Sequence, residues 1–299
     1  MRKPDFFIVG APKCGTTAMY TYLRQHPEVF MSRLKEPHFF GSDHHRINHT
    51  PFTMEQYLSF FADAREQKRV GEASTSYLHS RRAAVEIKAF SPSASIIIML
   101  RNPVDVMHAY HGTNLYGGFE FIADFPDALD AEHNRKCGGC WPDRAGILEC
   151  LFYREVVEFS EQVRRYLNVF GRERVHVIIY DDFRDDTAGA FQATLRFLGV
   201  GTGFRPTFER IRPDGRIRSV GLQNVLLSPP RAVRRLSHAI APERLRRALV
   251  GGVRGLNSRG GPRAPMVPEL RKRLLAELAP EVERLGALLG RDLSLWSKE

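Results

Sequence analysis

Apolar residues in this chain gather into short runs separated by stretches of helical period. Asp5 to Val9 is a short apolar run of strand type, closed by Gly10. Arg69 to Glu72 reads as the end of a second strand, Ala94 to Leu100 as a third, buried on both faces because it lacks alternation, and Val175 to Tyr180 as a fourth. Helical periods lie between them, at Thr16 to Gln25, Thr53 to Ala64, Arg81 to Phe90, Val104 to His111, Leu148 to Phe170 and Ala188 to Leu198. A further amphipathic helix is expected from Pro268 to Leu289. Strands alternating with helices predict an α/β fold, a P-loop-like parallel sheet flanked by helices on both faces. Gly112 to Arg144, with its glycine pairs Gly117-Gly118 and Gly138-Gly139, is expected as a long loop over the carboxyl edge of that sheet. No repeat or linker divides the chain, so residues 1–299 are expected as a single domain with a basic elaboration over about 200–299.

Composition narrows the class. The 299 residues are 43% hydrophobic and 26% charged, enough for a substantial core. The longest apolar run, Ser95 to Leu100, is far short of the roughly 20 residues that span a bilayer. The first residues carry an Asp and a strand where a secretory signal would need a longer apolar stretch, so a cytoplasmic protein without an integral membrane segment is expected. Four cysteines do not make a disulfide framework. Cys137-Gly138-Gly139-Cys140 has the spacing of half a zinc site but lacks a second pair, which leaves a labile thiol pair as its other reading. A net charge of +10, concentrated between Arg205 and Arg273, calls for an anionic partner.

Candidate chemistry begins directly after the first strand. Gly10-Ala11-Pro12-Lys13-Cys14-Gly15-Thr16-Thr17 joins a strand to a helix, where glycines admit a phosphate, helix-start amides face it and threonine hydroxyls add donors. Lys13 precedes Gly15 by two places, unlike the nucleotide triphosphatase loop, in which the lysine follows the second glycine. A second anion site is expected at Arg101, which ends the third strand before Asn102-Pro103.

The run from Phe7 to Thr17 resembles the 5′-phosphosulfate loop of the sulfotransferases that use 3′-phosphoadenosine 5′-phosphosulfate (PAPS), in the bacterial and heparan-type branch. The resemblance implies that Lys13 meets the bridging oxygen and the transferred sulfuryl group, while Cys14, Gly15, Thr16 and Thr17 of the loop hold the 5′-phosphate. Ile96 to Asp105 resembles the family's 3′-phosphate motif, with Arg101 as its arginine and Ala109 where the family carries a serine. Val70-Gly71-Glu72-Ala73-Ser74-Thr75-Ser76-Tyr77-Leu78 resembles the segment whose glutamate takes the acceptor's proton, which makes Glu72 the expected base. Its other reading is a carboxylate that anchors a turn through Ser74 or Ser76. Lys35-Glu36-Pro37-His38-Phe39-Phe40 also matches, with Lys35 and His38 expected to face the acceptor. The late stretch with Arg259, Gly260 and Arg263 resembles the loop that closes over the nucleotide. The implied reaction yields 3′-phosphoadenosine 5′-phosphate (PAP) and needs no metal, and its acceptor is a small molecule or carbohydrate.

Two other classes compete. A P-loop kinase or nucleotide triphosphatase would place lysine straight after Gly15, where Thr16 stands. A basic nucleic-acid-binding protein would interleave aromatics with its arginines, whereas Phe208 is nearly alone between Arg205 and Arg273. No nucleic-acid partner is therefore expected.

Overall fold

The computed structural model describes residues 2–46, 50–141, 146–209, 216–227, 251–253, 255–259 and 265–298. Five strands, β1 (Phe6–Gly10), β2 (Val29–Met31), β3 (Arg69–Ala73), β4 (Ser95–Leu100) and β5 (Val175–Ile179), form one sheet in the order β2-β3-β1-β4-β5. Every neighbouring pair is parallel. All residues of β1 and β4 are buried, as their unbroken apolar runs require of strands covered on both faces. The order changes direction at β1, which has β3 on one side and β4 on the other. The loop after β1 therefore opens at the switch point, where sheets of this kind bind ligands.

Helices α1 (Thr16–Arg24), α2 (Met54–Ser59) and α3 (Ala83–Phe90) follow the first strands. After β4 come α4 (Pro103–Gly117), α5 (Phe125–Lys136), α6 (Tyr153–Val156) and α7 (Phe159–Phe170). Then α8 (Tyr180–Asp185) and α9 (Thr187–Leu198) follow β5. Later in the chain lie α10 (Val220–Leu227), a ribbon of β6 (Arg216–Ile217) with β7 (Ser258–Arg259), and α11 (Pro268–Leu289). Helix α11 packs on α7 and α4, so the C-terminal part closes the core.

Three expectations change. The span from Gly112 to Arg144 is not one loop: α4 runs on to Gly117 and stops at Gly118, whose φ is 72°, and α5 occupies its middle. Asp124 caps α5 by accepting from the Asp127 amide, and Phe125, Ala128 and Leu129 are buried. The stretch from Leu148 to Phe170 is broken into a 3₁₀ turn at Leu148–Leu151 followed by α6 and α7. Strand β2 is only three residues long, too short to register as a period.

Candidate active site

A cleft of about 1050 Å³ lies across the carboxyl ends of the strands. Its centre is the β1–α1 loop, with Lys13, Gly15, Thr16 and Thr17 on its wall. The Ala11 amide of this loop donates to the Met99 carbonyl of β4 (2.6 Å), and the end of β1 is held on its other side by the Leu78 amide, just past the 3₁₀ turn after β3, which donates to the Val9 carbonyl (2.8 Å). Lys13 has φ 62° and Gly15 has φ 89°. A side chain on Gly15 would be strained by that angle and would meet Phe183 and Tyr180 at 3.2 Å. Cys14 faces inward, donating its thiol to the Pro12 carbonyl at 3.3 Å, and burial pushes the thiol up to about 12. It shapes the loop from behind and stays neutral.

On the β4–β5 side stand Arg101, Tyr180, Phe183 and Arg184. Arg101 donates to Asp105 at 3.1 Å and lies over the Tyr180 ring at 5.1 Å. Asp105 also accepts from Arg271 of α11 at 2.8 Å, which locks the last long helix to this corner. Tyr22, Phe183 and Phe208 form an aromatic group beside it, Tyr22 and Phe208 edge to face at 4.9 Å. Ala109 is nearly buried within α4 and is not on the cleft wall, where its methyl group brings no donor. Arg259 is described only as backbone of β7, paired with Arg216, while Gly260 and Arg263 lie outside the described residues.

On the β2–β3 side the wall carries Glu36, His38, Arg46 and Thr75. The Glu36 amide donates to the Ala73 carbonyl at 2.9 Å, which carries the chain along the end of β3. Its carboxylate accepts from Lys35 at 2.5 Å and from the Thr75 hydroxyl at 2.9 Å, with His38 Nε2 at 3.3 Å. Burial alone would raise this carboxyl, but the charges of Lys35 and His38 and the two donors outweigh it and hold it at about 2. Glu36 and His38 both adopt positive φ, 62° and 48°, an uncommon backbone for such residues that the surrounding contacts hold in place.

Glu72 is placed differently from the expectation. It is wholly buried and off the cleft wall, its oxygens accepting from Tyr57 (2.6 Å), Ser74 (2.6 Å) and Tyr77 (3.2 Å). Ser74 in turn accepts from the His38 amide, and Tyr77 from the amides of Phe39 and Phe40. Glu72 thus anchors the segment that bears Glu36 and His38, which is the turn-anchoring alternative weighed from the sequence. Burial raises its carboxyl to about 7. Lys35 reaches the site through Glu36 and is not itself on the wall. Glu36 is the residue that sequence reasoning passed over, although it sits inside a quoted motif. Only the fold reveals that it, not Glu72, faces the cleft.

A family model described as "Sulfotransferase domain" matches residues 3–212, more than half of the chain. The chain belongs to the sulfotransferase family. A solved sulfotransferase from Alicyclobacillus acidocaldarius is similar over the whole of both chains, at 30% identity and a TM-score of 0.74. Human carbohydrate sulfotransferase 15 is 26% identical over 253 residues, covering 66% of this chain and 44% of its own. The mouse bifunctional heparan sulfate N-deacetylase/N-sulfotransferase 4 is 26% identical over 212 residues, or 22% of its length. The chain therefore spans less than half the length of these curated relatives. Among the described residues no group of three or more histidine, cysteine or acidic side chains is arranged to hold a metal ion.

Proposed function

We propose that this sulfotransferase moves the sulfuryl group of PAPS to a hydroxyl or amine of its acceptor, with Lys13 at the leaving oxygen and Glu36 taking the acceptor's proton. The order of groups along the sheet edge carries this reading. A carboxylate lies to one side of the anion loop and Arg101 to the other, so donor and acceptor can meet at Lys13 in line. The acceptor oxygen bonds to sulfur while the bond from sulfur to the 5′-phosphate oxygen breaks. The proton goes to Glu36 and PAP leaves. Lys13 and the loop amides offset the charge that grows on the leaving phosphate, and Arg101 with the Tyr22–Phe183–Phe208 group would grip the far end of the nucleotide. Carbohydrate relatives support a sugar as one acceptor class and leave small molecules as the other.

The test is sulfuryl transfer from radiolabelled PAPS. Glu36→Gln is expected to lower kcat by about 10², the low end of a general base's contribution, because Lys35 and His38 keep its carboxylate weakly basic, with PAP affinity unchanged. Glu72→Gln should retain most of the activity, because it preserves the buried side chain's shape. The opposite pattern would return the role of base to Glu72.

A further inference from the structure

The acceptor end of the cleft has a wall whose chemistry differs from that of the nucleotide end. Tyr110, Phe119, Ile147, Cys150 and Leu151 line it. Asn114 of α4 donates to the Cys150 carbonyl at 3.2 Å, so α4 and the 3₁₀ turn at Leu148–Leu151 close on each other. Glu36 lines the same cleft as Tyr110 and Cys150, which puts this wall and the proposed base in one cavity. Phe119 stands at the rim, 38% exposed, its ring over Gly117 and Gly146. A side chain at Gly117 would come within 2.6 Å of that ring, so the backbone there is shaped to seat Phe119. An aromatic ring left in water at the mouth of a pocket gains most when an apolar ligand covers it.

Thr113 and Asn114 of α4 also reach the cleft, and among the described lining residues Arg46 is the one with a buried side-chain nitrogen that no partner meets. Arg46 enters from the segment joined to the turn by the Leu148 amide, which donates to the His45 carbonyl at 3.0 Å. Its Nη2 donates to the Phe40 carbonyl at 3.1 Å, while its Nη1 is buried with no partner among the described residues. A buried guanidinium nitrogen is costly unless an oxygen meets it.

We propose that the acceptor is a compact alcohol with an aromatic or aliphatic body that packs against Phe119, Ile147 and Leu151, and with a carbonyl or carboxylate oxygen that meets Arg46. This inference rests on the sulfotransferase reading of the cleft and narrows its acceptor to a class other than an extended glycan. The transfer is unchanged in its balance: the alcohol oxygen gains the sulfuryl group, its proton goes to Glu36, and PAP departs.

The experiment pairs two readouts. Calorimetry with PAP reports the nucleotide site, and transfer from radiolabelled PAPS is followed to 2-naphthol, a hydroxynaphthoate, 1-octanol and a desulfated heparan oligosaccharide. The aromatic or aliphatic alcohols are expected to be sulfated in preference to the oligosaccharide. Phe119→Ala should raise KM for 2-naphthol about tenfold with little change in kcat, as loss of one apolar contact does. Gly117→Ala, which displaces the same ring without touching the acceptor, should act in the same direction. Arg46→Gln should raise KM for the hydroxynaphthoate but not for 2-naphthol. PAP binding with sulfation of the oligosaccharide alone, with no alcohol sulfated, or with KM insensitive to all three substitutions, overturns this inference while leaving the sulfotransferase reading intact. Absence of PAP binding overturns both.

Discussion

Glu36 and Glu72 are the same residue type, one in the segment that follows β2 and the other within β3, and their surroundings give them opposite properties. Glu36 is kept ionised by Lys35, His38 and Thr75, whereas Glu72 is cut off from water and offered only hydroxyl donors. The second case has a consequence for stability. With its carboxyl raised by burial to about 7, against 4.5 in an unfolded chain, the folded protein keeps a proton that the unfolded chain has released between those values. Stability from this group is fully present below pH 4.5 and falls as pH rises through 7, by about 3 kcal/mol in all. Urea unfolding of Glu72→Gln beside the wild type should show the variant's relative stability climbing across that window and levelling above it. A constant difference at all pH values would contradict the assignment. The loop lysine and Arg101 were legible in the sequence because strand ends and glycines mark them. Glu36 was not, because its exposure depends on where β3 lies, and β3 is its neighbour only in space.

At the level of elements, the site depends on close packing between strands and on one buried ion pair. Gly71 of β3 lies under the Phe6 ring, where an added Cβ would stand 2.1 Å away. Gly71→Ala should therefore lower the melting temperature well beyond a surface substitution, with a cost of about 1–3 kcal/mol or more, measured by thermal unfolding. Helix α5 is held to the end of α4 by Arg135, which donates to both oxygens of Glu120 at 2.7 and 2.9 Å, with Tyr153 donating to the same carboxylate. Both partners of the pair are fully buried. Arg135→Met would leave the Glu120 carboxylate uncompensated and should cost about 3–5 kcal/mol in chemical denaturation. Glu120 also accepts from the amides of Phe121 and Ile122, so the turn beside Phe119 should loosen with it. The sequence hid α5 because its exposed face is unusually polar and glycines flank it; its cap at Asp124 and its buried Phe125–Leu129 face are what stabilise it.

Across the whole molecule, the parallel sheet and its helices followed from the apolar runs, since strands buried on both faces leave a plain record in sequence. The basic stretch beyond Arg205 did not translate in the same way: much of it falls outside the described residues, and Arg216 and Arg259 enter only as a short ribbon. Among the described residues no helix is long and apolar enough to cross a membrane. Three histidines oppose Glu72 in the acid response. Burial holds His44 at about 4, His79 at about 3 and His176 at about 4, against 6.5 when unfolded. Their contribution is present above pH 6.5 and is lost as pH falls through the folded values, a direction opposite to that of Glu72. Burial raises Asp5, Glu132 and Glu158 in the same direction as Glu72, so the rings are read singly: in urea unfolding His176→Phe should lose less stability than the wild type between pH 6.5 and 4, and an equal loss would contradict the burial of that ring.

In the proposed site, one cleft across the sheet edge would grip a nucleotide by both its 5′ and 3′ phosphates. Calorimetric titration with PAP, beside ATP and beside the Lys13→Ala and Arg101→Ala variants, tests it without knowledge of the acceptor. Binding in the micromolar range is expected, preferring PAP over ATP and weakening at least about tenfold in Arg101→Ala, as loss of a charge-assisted hydrogen bond requires. Equal affinity for ATP, or PAP binding indifferent to both substitutions, would contradict it.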